Sequence, residues 1–160
     1  MLLGKELPDA IGELAMEKRG FTILELLIVI GLIGLMAAIA LPRIGRTLVG
    51  QNVKSSRAAV ISAHGLARAT AIQRGIASKL VFSGNTVLVI SENPVTRAVD
   101  TVGVPNNLYD RYGVTVTTTR DTLKFDPNGI GADGGDTKVV VTRGASTESV
   151  EINAVGRVLK

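Results

Sequence analysis

The chain holds one histidine, His64, and no cysteine, so it has a single imidazole and no thiolate to act as nucleophile, base or metal ligand. One stretch rich in glycine and side-chain oxygens is FDPNGIGADGGD, residues 125–136, which sets Asp126, Asn128, Asp133 and Asp136 among glycines. Oxygen ligands at that density raise a calcium reading. An EF-hand register from Asp126 places Asn128 correctly, but Ile130 falls where an oxygen ligand belongs and Thr137 where the bidentate glutamate belongs, so that motif fails. A looser site built from the four side chains stands beside the plainer reading of a solvated glycine-rich turn. Residues 129–135 are not followed by the lysine of a phosphate-binding loop. His64 has neither a G-x-S-x-G elbow nor a cysteine to activate. Helical spacing groups it with Lys54, Arg57 and Arg68 on a charged face, as a solvated side chain. The expectation is therefore no catalytic residue, no metal and no cofactor. The enzyme alternative is a membrane-anchored periplasmic hydrolase using the acids of the 126–136 loop.

Glu25 is the other chemically distinctive residue. It lies near the start of KRGFTILELLIVIGLIGLMAAIALP, residues 18–42, where nothing from Leu26 to Pro42 is charged. From Phe21 to Pro42 the run is 22 residues, about 33 Å of helix and long enough to cross a membrane. A carboxylate in that zone costs on the order of 2.5 to 3.5 kcal/mol on insertion scales, so it needs a partner or a boundary position. Three readings compete. One is a secretory signal cut near Ala38, Ile39 and Ala40, which have the small-x-small form. Another is an uncleaved anchor that tolerates Glu25 near the interface. The third places a cut between Gly20 and Phe21 and retains the run.

The elements that must position these residues follow from periodicity. Pro42 removes a backbone donor, so a bend is expected there. Beyond it Val49, Val53, Ser56, Val60, Ala63, Ala67 and Thr70 repeat at alternating steps of four and three, an amphipathic continuation over 43–75 with Gly75 as its stop. The period then changes to two. Residues 79–82 and 86–90 flank Ser83, Gly84 and Asn85 as a hairpin. An irregular connection follows over 93–112, with one short strand at 98–102. Further strands are expected at 114–118, 122–125, 138–141 and 149–152, and one more at 157–159. The architecture is α+β, a long N-terminal hydrophobic helix packed on a C-terminal antiparallel sheet. Its divisions are 1–20, 21–42, 43–75 and a β-rich domain over 76–160.

Composition narrows the partners. Phe21, Phe82, Phe125, Tyr109 and Tyr112 are all the aromatic residues, too few for a base-stacking platform. The formal charge of +4 is modest and spread out, so it names no nucleic-acid binder by itself.

Lys18 to Glu25, with glycine, an aromatic residue and glutamate at fixed spacing before an uninterrupted apolar run, resembles the N-terminal signal of type IV pilins and pseudopilins. The resemblance implies that a prepilin peptidase cuts between Gly20 and Phe21 and N-methylates Phe21. It makes residues 1–20 a leader, or Met16 to Gly20 if Met16 is the true start. It also implies that Glu25 meets the Phe21 ammonium of a neighbouring subunit during assembly. Phe125, Pro127 and Gly129 resemble the F-x-P-x-G element of the GspH/FimT branch, which the C-terminal Gly156, Arg157 and Val158 support. In FimT-like minor pilins a C-terminal G-R-x-R element is associated with DNA binding. Here leucine replaces the second arginine, so Arg157 and Lys160 are candidate DNA contacts on a departing motif, with Arg143 and Lys138 as further basic side chains. The implied function is that of a structural minor pseudopilin of a type II secretion system, polymerised into a pseudopilus that drives protein secretion. The alternative is a FimT-like minor pilin serving pilus assembly or DNA uptake. Other pilins, the prepilin peptidase and the inner-membrane assembly platform are its implied partners. Its implied location is the inner membrane, single-pass, with the C-terminal domain in the periplasm. Basic residues flank the run on both sides, so charge counting leaves the orientation open.

Overall fold

A computed structural model describes residues 20–159. The leader proposed over 1–20, the start at Met16 and the tail residue Lys160 lie outside the described residues, save for Gly20. Helix α1 (Ile23–Arg74) is followed by β1 (Ser78–Ser83), β2 (Thr86–Glu92), β3 (Val99–Asn107), α2 (Leu108–Tyr112), β4 (Thr115–Thr118), β5 (Thr122–Phe125), β6 (Thr137–Arg143), β7 (Ser146–Ile152) and β8 (Val158–Leu159). The chain forms two compact units, meeting between Ala40 and Leu41. In the first, α1 is long and apolar enough to cross a membrane and its side chains are not buried. α1 passes Pro42 without leaving helical conformation and ends where expected, at Gly75, whose φ of 63° only glycine adopts without strain.

The second unit is α+β as expected, but with two four-stranded antiparallel sheets, ordered β3-β2-β1-β5 and β4-β6-β7-β8. One sheet was expected because period-two patterning shows strands without showing which of them pair. Asn85, in the hairpin loop between β1 and β2, ties the layers. Its carbonyl accepts from the Leu108 amide at 2.9 Å, and its side-chain oxygen accepts from the Val116 amide at 2.9 Å. A single hydrophobic core joins Val53, Val60, Ala67 and Ala71 of α1 to Leu80, Val89 and Phe125 of one sheet and Val139, Val150 and Ile152 of the other.

The connection over 93–112 is more ordered than its turn-rich composition implies. β3 runs nine residues as an edge strand, where Pro105 needs no ladder partner. α2 then forms because the Asn107 side chain accepts from the amides of Tyr109 and Asp110, while Gly113 closes it in the left-handed region.

Candidate assembly segment and motif-bearing turns

Gly20, Phe21 and Thr22 precede α1, so the peptide between Gly20 and Phe21 lies outside the helix, and Phe21 is 76% exposed. Thr22 caps α1: its hydroxyl accepts from the Glu25 amide at 3.1 Å. Thr22 and Glu25 thus have the T-x-x-E spacing of a capping box, a signal readable in the sequence alone. An acid in the first turn also complements the helix macrodipole. Glu25 is exposed, as are the large apolar side chains that follow it, including Leu26, Ile30 and Leu35.

The two weaker motifs, far apart in sequence, meet on α1. Phe125 is fully buried and contacts the His64 ring edge to face, with centroids 5.2 Å apart. Gly129, at φ 73°, leaves room for Ile72; a Cβ there would lie 2.8 Å from Ile72 Cδ1. Its carbonyl accepts from Arg68 Nε at 2.8 Å. Gly156, at φ 76°, packs on Phe125 and Gly131, and its carbonyl lies 3.0 Å from His64 Nε2. Arg57 Nε donates to the Ser149 carbonyl at 3.0 Å. One helix face therefore fastens three separate carbonyls, and the turn at 125–131 and the turn at 153–156 close against each other through Gly131 N donating to Val155 O.

His64 is thus not the solvated residue expected; it is 4% exposed. At about 100° per residue, position 64 lies about 20° from Val53, whereas Ala63 lies about 80° away, so the buried stripe is centred on 53, 60, 64, 67 and 71. Grouping residues by polarity concealed this, because a histidine with a backbone acceptor can be buried. Arg57 and Arg68 border the same face and are half-buried.

The tail and loop residues divide differently. Arg157 has an exposed side chain, and its backbone is held by Asn153, whose side chain accepts from the Arg157 amide at 2.7 Å. Arg143 and Lys138 each have partners of their own. Arg143 donates to the Tyr112 carbonyl at 2.6 Å, and Lys138 pairs with Glu151 at 2.9 Å. In the 126–136 loop the carboxylates face backbone amides. Asp126 accepts from Asn128 and Ile130, Asp133 from Lys124, and Asp136 from Ala154. The Ile130 amide bond holds the Asp126 carboxyl below its ordinary pKa. Among the described residues no group of three His or acidic side chains converges as a metal site.

Burial pushes the His64 pKa below its ordinary 6.5. The bond to Gly156, which favours the charged ring, opposes this, and the nearby Arg68 charge reinforces it. A carbonyl can only accept, so the neutral ring keeps its proton on Nε2. Between the folded pKa and about 6.5 the unfolded chain binds more protons, so stability rises with pH. Acidification from pH 7 should therefore lower the unfolding free energy of the full chain in detergent, measured by urea titration, by up to about 1.4 kcal/mol per pH unit, until the folded pKa is passed. His64→Gln, which cannot titrate, should lack this step. An unchanged pH profile in that variant would assign the slope to other groups.

The prokaryotic N-terminal methylation motif matches residues 16–41. In fold, the chain is similar to the type IV minor pilin FimU of Pseudomonas aeruginosa in its P21 crystal form, with a TM-score of 0.55 over 68% of this chain and 87% of that one, at 13% identity. The chain is type IV pilin-like. In the P65 crystal form of FimU the TM-score is 0.46 over 64% of this chain and 90% of that one, at 14% identity. No curated protein matches this chain. In this pilin-like chain Gly20, Phe21, the capping Thr22 and Glu25 all fall within the matched stretch.

Proposed function

We propose that the chain is a structural minor subunit of a type IV pilin-like filament. It is made as a prepilin, cut between Gly20 and Phe21 by prepilin peptidase and N-methylated on Phe21. It waits as a single-pass protein of the inner membrane with its β-rich domain in the periplasm. From there an assembly platform draws it into the filament, where residues 21–42 pack against the same segment of other pilins. The observation that carries this reading is the methylation motif running directly into an apolar helix that no part of the described chain covers. The exposed peptide ahead of α1 supports access by a peptidase.

Two filament systems fit. Likeness in fold to FimU favours a minor pilin of a type IV pilus. The F-x-P-x-G element at Phe125, Pro127 and Gly129 and the absence of cysteine favour the GspH/FimT branch over the major pilins, and that branch serves both systems. Genes beside this one, a secretin with a secretion ATPase or a retraction ATPase with competence proteins, would separate the two. A structural role is preferred over a hydrolase because His64 is held by Gly156 and the loop acids are held by backbone amides.

Mass spectrometry of the membrane form should find an N-terminus at N-methyl-Phe21. An N-terminus after Ala40, or an uncut leader, would sink the pilin reading. Gly20→Ala should slow the cut.

A further inference from the structure

Between Glu25 and Glu92 the sequence has no acidic residue, while α1 carries Arg43, Arg46, Lys54, Arg57, Arg68 and Arg74. A solvated helix of this length usually intersperses acids that pair at i,i+4, so a surface of one sign favours an anionic partner. At about 100° per residue, positions 43, 46, 54, 57, 64 and 68 fall within an arc of about 80°. From position 57 onward that face is occupied by carbonyls of the fold. Before it, Arg43, Arg46 and Lys54 are exposed, and among the described residues none of them has an ion pair.

We propose that Arg43 and Arg46 form a docking surface for anionic lipid headgroups, in the leaflet where the apolar run over 21–42 ends. The proposal rests on the membrane-anchored reading above. At a rise of about 1.5 Å per residue, Arg43 and Arg46 follow Pro42 by about 2 and 6 Å along the axis, and Lys54 by about 18 Å. A surface potential decays over about 8 Å at physiological ionic strength, so the two arginines feel the headgroups and Lys54 lies beyond them. The guanidinium fork suits the phosphate of a headgroup, to which it can donate twice. A soluble polyanion such as DNA has no such boundary and would engage Lys54 as readily as Arg46, which is why lipid is the favoured partner.

The chain has no native cysteine, so one fluorophore can be placed at Thr47→Cys, one turn past Arg43, in the full chain reconstituted into vesicles. Phosphatidylcholine and phosphatidylglycerol are mixed with one or the other brominated, and the quenching reports which lipid sits beside the label. The parent should prefer phosphatidylglycerol. Arg43→Gln or Arg46→Gln should lower that preference by up to about fivefold and the pair by up to about thirtyfold, while Lys54→Gln leaves it unchanged. Equal quenching by both lipids in the parent overturns the proposal. A loss in Lys54→Gln as large as in the arginine pair also overturns it, in favour of a soluble polyanion. A second label at Ile33→Cys tests the anchoring itself. It should be quenched by both brominated lipids, and if neither quenches it the membrane reading fails and takes the docking surface with it.

Discussion

Glu25→Gln should yield a subunit that is inserted and cut like its parent yet enters filaments at least tenfold less often. The substitution removes a charge whose insertion costs on the order of 2.5 to 3.5 kcal/mol, so the lone subunit sits in lipid at least as well as before. What it lacks is the opposite charge for the Phe21 ammonium of a neighbour. An ion left unpaired when helices pack away from water costs about 3 to 5 kcal/mol, and contacts along the rest of the helix offset only part of that. Glutamine is the informative replacement because the Thr22 cap accepts from the backbone amide of residue 25, which the substitution keeps. Glutamine serves at that position as glutamate does, so the helix start survives and only the charge is removed. Thr22→Val is the complementary variant. It deletes the hydroxyl that accepts from the Glu25 amide, at a cost of about 1 kcal/mol to the helix end, and should assemble nearly as the parent does. Cross-linking to the other filament subunits, scored beside membrane level and processing, measures both. Normal recruitment of Glu25→Gln, or equal failure of Thr22→Val, would reduce Glu25 to a capping residue of a plain anchor.

Gly156→Ala should strongly destabilise the β-rich unit. A residue with a Cβ is strained at φ 76°, by about 1 to 3 kcal/mol. The new methyl would also stand 2.9 Å from Phe125 Cε1 and 3.0 Å from Gly131 N, and neither can retreat, because Phe125 is fully buried and Gly131 is backbone. Together these should cost roughly 3 kcal/mol or more and lower the melting temperature by about 10 °C. The His64 contact would be disturbed with it, since that ring packs on Phe125 and meets the Gly156 carbonyl. Gly65→Ala is the control. It lies inside α1 with nothing within 4 Å of the added carbon, so it should stabilise by about 0.5 to 1 kcal/mol. Calorimetry of both variants decides. A Gly156→Ala protein that melts with its parent would show that the two turns are not held together as described. The same result bears on the tail motif, because the packing of Gly156 accounts for that glycine without any contact to DNA.

Much of the local structure was legible in the chain because short-range physics writes it there. Residues 122–125 form a strand as expected, and the strands at 79–82, 86–90, 138–141 and 149–152 were found with ends a few residues short. Gly75 ends the helix because a left-handed residue is needed there. The 93–112 segment departs from the irregular connection expected of it. Its prolines and asparagines read as loop, yet Pro105 is accommodated on an edge strand and Asn107 caps a helix.

By itself the sequence determined the apolar run, the methylation motif with Glu25 at its fixed distance, and the change of period from helix to strand at Gly75. Each of these depends only on neighbours along the chain. The tertiary structure alone decided that the strands divide into two sheets, that His64 is buried rather than solvated, and that the turns carrying Phe125 and Gly156 meet on one face of α1. Those outcomes depend on contacts such as His64 with Gly156, 92 residues apart. No period along the chain encodes which carbonyl a buried imidazole will find, because that choice is made by the packing of one element on another.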